Sequence, residues 1–258
     1  MLRKARAVLV DLSGTLHIDD TAIPGAVNAL KRLRSSGLKV RFVTNTSKES
    51  SRALHSRLLD LGFEVTAEEM FSSLAATRLL AFERGLRPLF LVDPAAEEEF
   101  EGLDSNQPNA VLIGLAPGQF NYPKLNQAFR LVLDGAQLIA INKGRYYQTK
   151  DGLSLGAGSF VAALEYATGK QAEVVGKPTK AFFQASLRGL DVQPDEVIMI
   201  GDDVKDDILG AVEAGIQGVL VKTGKFRPGD EDKLPEGAFL AENFPDAVDM
   251  ILRAKKNL

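Results

Sequence analysis

Short apolar runs alternate with helical stretches along almost the whole chain, and few folds accept that rhythm. Ala7–Val10 is followed by a stretch that Pro24 opens and Gly37 ends, with Val27, Leu30 and Leu33 spaced three apart. Lys39–Val43 comes next, then a helical pattern over Lys48–Leu61 with Gly62 behind it. Further strand candidates are Leu89–Val92, Ala110–Ile113, Leu138–Ile141, Val174–Val175, Val197–Ile200 and Gly218–Val221. Between and after them lie predicted helices at Pro123–Leu133, Ser159–Ala167, Thr179–Leu190, Asp206–Ala214 and Pro245–Leu252. The runs are continuous rather than alternating, so each strand expects cover on both faces. The pattern predicts an α/β fold built on a doubly wound parallel sheet. Asp93–Glu99 and Asp104–Asn109 read as surface loops.

Composition narrows the function classes. The 258 residues are 45% hydrophobic and 25% charged, ordinary for a globular protein. The formal net charge of −3 carries no electrostatic footprint for nucleic acid. With no Cys, there is no disulfide framework, thiolate zinc site or Cys nucleophile. Only His17 and His55 are present, so a metal here is expected to be held by oxygen, which favours Mg²⁺. No apolar run approaches the roughly 18–20 residues of a membrane span. The start, MLRKARAVLV, is basic and then apolar, but Ala7–Val10 falls short of the roughly 7–15 residues of a signal-peptide core. The expected setting is cytoplasmic, without membrane or nucleic-acid partners.

In open α/β sheets, ligands collect at the carboxyl ends of the strands. The residues after each apolar run therefore matter most. They are Asp11-Leu12-Ser13-Gly14-Thr15, Thr44-Asn45-Thr46, Gly176-Lys177-Pro178 and Gly201-Asp202-Asp203, with Asp206-Asp207 close behind. Together these can hold one divalent cation and one phosphate. Asp11 and Asp202 offer carboxylate oxygens and Ser13 its carbonyl, while Asp207 can hold the metal's waters. Such a cation lets an Asp nucleophile approach a phosphate despite their like charges. Thr44 can donate its hydroxyl to a phosphate oxygen, and Lys177 can neutralise growing charge and hold the nucleophile. Asn45 joins Thr44 and Lys177 as a candidate substrate contact. Gly14 lets the backbone turn close past the phosphate. Each piece alone has a structural reading: a strand-end Asp as helix cap, Thr44 as turn residue, Lys177 as a solvated charge. Their order, each after an apolar run, favours the joint reading.

These four segments resemble the four motifs of the haloacid dehalogenase superfamily of Mg²⁺-dependent phosphohydrolases, and the likeness spans essentially the whole chain. It implies a Rossmann-like core, an aspartyl-phosphate at Asp11 and a phosphorylated small molecule or phospho-amino acid as substrate. The spacing adds architecture. Asp11 and Thr44 are 33 residues apart, enough for one helix and one strand, whereas Thr44 and Lys177 are 133 apart. A domain of roughly 95–100 residues fits there. The expected division is a core of residues 1–78 and 173–258 and an insertion of 79–172. The resemblance implies that this insertion is the larger α/β type of cap, closing over the site, and that a cap-mediated homodimer is possible. Arg145, in Lys143–Tyr147, is a candidate substrate contact; a surface turn with two half-buried tyrosines is the other reading.

One position departs from the resembled pattern. Most phosphatases of that superfamily carry Asp two residues after the nucleophile, as general acid and base. This chain has Ser13 there. Losing that help costs about 10²–10⁴ in rate on an ordinary alkyl phosphate. Two expectations follow: a substrate with a good or pre-protonated leaving group (a phosphoramidate, pyrophosphate or aryl phosphate), or a weakly active or inactive protein that binds phosphate and metal. Other chemistries fit less well. There is no G-x-G-x-x-G after the first strand for a dinucleotide and no GxxxxGK[ST] for a nucleoside triphosphate. A dehalogenase needs no metal, leaving Asp202 and Asp207 without a purpose. The 33-residue spacing leaves no room for the cap lysine of a phosphonatase.

Overall fold

The computed structural model describes residues 5–149 and 151–256. The basic start, residues 1–4, lies outside the described residues. In chain order the elements are β1 (Ala7–Val10), β2 (His17–Ile18), β3 (Thr21–Ala22), α1 (Ala26–Ser35), β4 (Lys39–Thr44), α2 (Ser51–Asp60), β5 (Met70–Ser72), α3 (Ser73–Glu83), β6 (Pro88–Leu91), β7 (Ala110–Ile113) and α4 (Tyr122–Leu133). There follow β8 (Gln137–Ala140), β9 (Tyr146–Thr149), β10 (Gly152–Leu155), α5 (Ala157–Thr168), β11 (Glu173–Val174), α6 (Lys180–Ser186), β12 (Val197–Gly201), α7 (Gly210–Glu213), β13 (Gln217–Val221), β14 (Phe239–Ala241) and α8 (Phe244–Lys256).

A six-stranded sheet runs in the order β14-β13-β12-β1-β4-β5, with every neighbouring pair parallel. Helices cover both of its faces, as continuous apolar runs require. Along β1, Val8 and Val10 face α1, α2 and α8, with Leu30, Leu33, Leu54, Leu58, Phe244 and Val248 in the same cluster. Ala7 and Leu9 face the other way, with Phe182 and Phe183 of α6 and Ala211 of α7. A second parallel sheet, β11-β8-β7-β6, is built from the chain between. Leu74 and Ala81 of α3 pack on one face of it and Ala128, Val132, Val161 and Leu164 of α4 and α5 on the other. The expected doubly wound parallel sheet with a second α/β unit is the observed architecture. Residue 79 falls inside α3, and β11 pairs with β8 of the smaller sheet.

Caps explain several element boundaries. Ser50, Ser72, Asn121 and Thr179 each accept a backbone N–H with the side chain and open α2, α3, α4 and α6. Helix α2 therefore starts at Ser51, three residues after the expected Lys48. Asp93–Glu99 is not a loop. Asp93 accepts from the Ala95 N–H at 3.0 Å, Pro94 supplies a preset φ, and Pro94–Phe100 winds into a 3₁₀ helix that buries Ala96 and Phe100. The expected helix at Asp206–Ala214 begins earlier and wider, as a π-helical segment Val204–Leu209 that passes into α7.

Candidate active site

The strand order reverses its growth at β1: the chain adds β4 on one side and β12 on the other. This switch point places the ends of β1, β4 and β12 around one crevice. Asp11 follows β1, Thr44 ends β4 and Asp202 follows β12. Four segments far apart in sequence thus meet. Lys177 Nζ donates to Asp11 Oδ1 and to Asp207 Oδ1, each at 2.6 Å, and to the Val43 carbonyl at 3.2 Å. The second Asp11 oxygen accepts the Thr15 hydroxyl at 3.1 Å. Asp202 Oδ2 accepts the Lys225 N–H at 2.7 Å, and Asp207 Oδ2 accepts the Asp203 N–H at 3.0 Å. Asp11, Thr44, Lys177, Asp202 and Asp207 are all buried.

Close backbone approach makes this possible. Gly14 has φ +93°, and a Cβ there would sit 1.9 Å from Asp202 Oδ2. A Cβ on Gly201 would sit 2.3 Å from the Asp207 carboxyl. The π-helical segment has its own local cause. Asp203 Oδ1 accepts the N–H groups of Lys205 and Asp206, while Asp207 reaches back to the Asp203 N–H. Such wide turns recur at functional sites because they redirect side chains out of the regular helix.

The electrostatics are those of a crowded acidic pocket. Burial raises Asp202 well above the usual carboxylate range, with the Asp11 and Asp207 charges adding to it against Lys225. Burial pushes Asp207 up to about 7, opposed by Lys177 and reinforced by Asp11. Burial likewise lifts Asp206 to about 6, with Asp203 adding to it. Burial opposes the charge on Lys177, but Asp11 and Asp207 outweigh it and hold the ammonium upward. Asp202, Asp203 and their neighbours do the same for Lys225. His17 is pushed down by burial and then by Arg57.

The donor set fits a hard divalent cation. Asp11, Asp202 and Asp207 bring carboxylate oxygens within 4.8 Å of one another. Among the described residues Asp202 Oδ1 is buried without a hydrogen-bond partner, an orphaned acceptor in a crowded acidic group. Oxygen-only ligands of this kind suit Mg²⁺.

The remaining expected residues separate. Thr44, Ser13, Asn45 and Lys177 line one cavity of about 90 Å³ with Asp11. Thr44 Oγ1 donates to Thr46 Oγ1 at 2.9 Å and accepts the Thr46 N–H at 3.0 Å. Asn45 spends its side chain on Lys177: Nδ2 donates to the Lys177 carbonyl and Oδ1 accepts the Lys177 N–H, both at 2.9 Å. It therefore holds the lysine loop. Arg145 is not brought to the cavity; it is exposed, with its guanidinium 5.1 Å from the Tyr146 ring centroid. It lies just before β9, whose Tyr146, Tyr147 and Gln148 line the cavity.

Several residues at the site carried little sequence signal. The loop after β13, Lys222–Lys225, supplies the Lys225 N–H to Asp202 and the Thr223 hydroxyl to the Gly14 carbonyl. It stands at a strand end like the others, and that position was its readable signal. Asn142, after β8, donates to the Asn45 carbonyl and to Ser47 Oγ, both at 2.9 Å, and ties the smaller unit to the core.

Comparison with known proteins agrees with this geometry. The family model described as "Haloacid dehalogenase-like hydrolase" matches residues 8–106, and a second model for HAD-like hydrolases matches 174–247. The chain is 58% identical over 252 residues to haloacid dehalogenase-like hydrolase domain-containing protein 2 of Bos taurus, covering 97% of each chain. It is 43% identical over 260 residues to phospholysine phosphohistidine inorganic pyrophosphate phosphatase of Mus musculus, covering 98% of this chain and 96% of that one. Among solved structures, 4-nitrophenylphosphatase from Thermotoga maritima superposes with TM-score 0.88 at 26% identity, covering 97% of this chain and 98% of that one. Glycerol phosphate phosphatase from Mycobacterium tuberculosis in complex with magnesium superposes with TM-score 0.81 at 28% identity, covering 95% and 78%. The chain belongs to the haloacid dehalogenase-like hydrolase family, and its structural neighbours are phosphatases.

Proposed function

We propose that this protein is a Mg²⁺-dependent phosphohydrolase that works through an aspartyl-phosphate at Asp11. The observation that carries the reading is the convergence of the Asp11, Asp202 and Asp207 carboxylates within 4.8 Å, beside a buried lysine that bonds two of them. Asp11, Asp202 and Asp207, with the Ser13 carbonyl, would hold the cation. When bound, Mg²⁺ neutralises the approaching phosphate and the carboxylates together. Asp11 presents the nucleophilic oxygen; Lys177 fixes its orientation. Thr44, which lines the cavity, would donate its hydroxyl to a phosphate oxygen. Attack on phosphorus forms the acyl-phosphate and expels the leaving group; water then attacks phosphorus and restores the Asp11 carboxylate.

Ser13 directs the substrate choice. A serine hydroxyl does not protonate a departing alkoxide at neutral pH, so leaving groups needing little help are favoured. Phosphoramidates, pyrophosphate and aryl phosphates qualify. The unit expected at 79–172, whose sheet reaches on to include β11 (Glu173–Val174), serves as a cap that shields the cavity from water, and the setting is cytoplasmic. A second reading, a phosphate- and metal-binding protein of little activity, rests on the same Ser13.

The test is hydrolysis of p-nitrophenyl phosphate, pyrophosphate and a phosphoramidate, with and without Mg²⁺, by the wild type and Asp11→Asn. Metal-dependent turnover by the wild type and none by the variant is expected. Activity surviving in Asp11→Asn removes the nucleophile assignment; absence of wild-type turnover on all three favours the binding reading.

A further inference from the structure

Asp206 adjoins Asp207 in sequence but not the carboxylate group in space: the clustered oxygens belong to Asp11, Asp202 and Asp207. Asp206 is 6% exposed and lines the cavity. Its backbone N–H is taken by Asp203, yet among the described residues its carboxylate makes no hydrogen bond or ion pair. The side chain faces the smaller unit, because a Cβ added to Gly144 would lie 3.9 Å from Asp206 Oδ2. Tyr146, Tyr147 and Gln148 of β9 line the same space.

The other charges there are committed. Lys177 bonds Asp11 and Asp207, Arg57 pairs with Glu49, and Lys225 pairs with Asp203. Asp19 also lines the cavity and has interactions of its own. The tyrosine rings already have protein cations near them, Arg145 at Tyr146 and Lys48 at Tyr147. Among the described residues that line the cavity outside the carboxylate cluster, Asp206 is thus the acidic group left to face a ligand. Taking a carboxylate out of water without a partner is costly. The cost is offset when the ligand brings a charged N–H donor to it.

We propose that Asp206 is a specificity-determining residue that accepts a hydrogen bond from a positively charged nitrogen on the leaving group, so that the cavity selects phosphorylated amines over substrates with neutral or anionic leaving groups. The inference rests on the phosphatase reading above and narrows its substrate class: pyrophosphate drops behind N-phosphorylated and amino-bearing substrates. It also answers the absence of an acid at Ser13. In an N-phosphorylated amine the nitrogen is protonated before cleavage. Attack by Asp11 forms the O–P bond and breaks P–N. The electron pair stays on nitrogen, and the amine leaves neutral with its proton. Holding the protonated nitrogen needs an acceptor, which Asp206 is.

The experiment compares phosphoethanolamine with propyl phosphate, which differ in a terminal ammonium against a methyl group. The ratio of kcat/KM for the pair is expected to favour the amine in the wild type. It should fall about tenfold in Asp206→Asn, with the change in KM, and recover in Asp206→Glu. Equal ratios in wild type and Asp206→Asn overturn the inference, and so does a wild type without preference, a result that needs no variant. Mg²⁺-dependent hydrolysis of p-nitrophenyl phosphate by the wild type gauges the underlying reading separately. With that activity present, a flat ratio rejects the Asp206 assignment alone; with it absent, the phosphatase reading falls and the inference with it.

Discussion

Asp11 and Ser13 stand two residues apart, and the difference between a carboxyl and a hydroxyl there controls what the site can do. Ser13 lines the cavity beside Asp11, so an aspartate side chain at that position would reach the same space. We expect Ser13→Asp to raise kcat/KM for propyl phosphate by about a hundredfold or more, because a positioned general acid contributes roughly 10²–10⁴. Steady-state kinetics on an unactivated ester decide it; an unchanged rate means that proton transfer is not what limits the native site. Asp11, Ser13, Thr44, Lys177, Asp202 and Asp207 were legible as strand-end residues. The partners of Asn45 were not. Asn45 lines the cavity, and its side chain makes two bonds to the Lys177 backbone, across 132 positions of sequence, which no local pattern encodes.

At the scale of an element, the segment from β12 into the π-helical turn sets where Asp207 lies. Gly201 leaves no room for a side chain against the Asp207 carboxyl. Gly201→Ala should therefore displace Asp207, weaken Mg²⁺ binding about tenfold or more, and leave a folded protein whose Mg²⁺ response shifts to higher concentration. Titration calorimetry with Mg²⁺ measures this; unaltered affinity would mean that Asp207 lies outside the ion's reach. Long apolar runs announced their strands well, since a run buried on both faces needs no help from context. β5 and β14 went unread: each has three residues, and Met70, Phe71, Phe239 and Leu240 are only half-buried. The π turn was also hidden, because its cause is the mutual bonding of Asp203, Asp206 and Asp207 rather than a helix propensity.

Across the whole molecule, two units share one cavity, and few bonds join them at its floor. Asn142, at the end of β8, bonds the Asn45 carbonyl and Ser47 Oγ, and Ser47 Oγ also accepts the Leu115 N–H at 2.9 Å. Asn142→Ala removes the donors while leaving the carboxylates in place. The expected result is a rise in KM of roughly fivefold to tenfold with little change in Mg²⁺ affinity, since a buried hydrogen bond contributes about 1 kcal/mol. Kinetics and Mg²⁺ titration together separate this from damage to the metal site. The acidic pocket also couples stability to pH. Asp207, raised to about 7, and Asp206, raised to about 6, bind protons more tightly folded than unfolded. Metal-free stability should accordingly fall as pH rises from about 4 to about 7. Mg²⁺ competes with the proton on Asp207, so the rise in Tm it produces should be small near pH 5 and largest above about pH 7. Scanning calorimetry with and without Mg²⁺ checks both slopes; an equal metal effect at the two ends would show that Asp207 does not take part.

Local pattern alone determined the layered α/β architecture, the order of the chemical residues and the presence of an insertion. Those depend on burial periodicity and on strand ends, which short windows of sequence record. Tertiary structure decided the rest. It placed Lys177 between Asp11 and Asp207, brought the β13 loop onto Asp202, turned Arg145 outward and left Asp206 facing the second unit. Each of those outcomes depends on how close two remote backbones come, and that distance is set only when both sheets have packed.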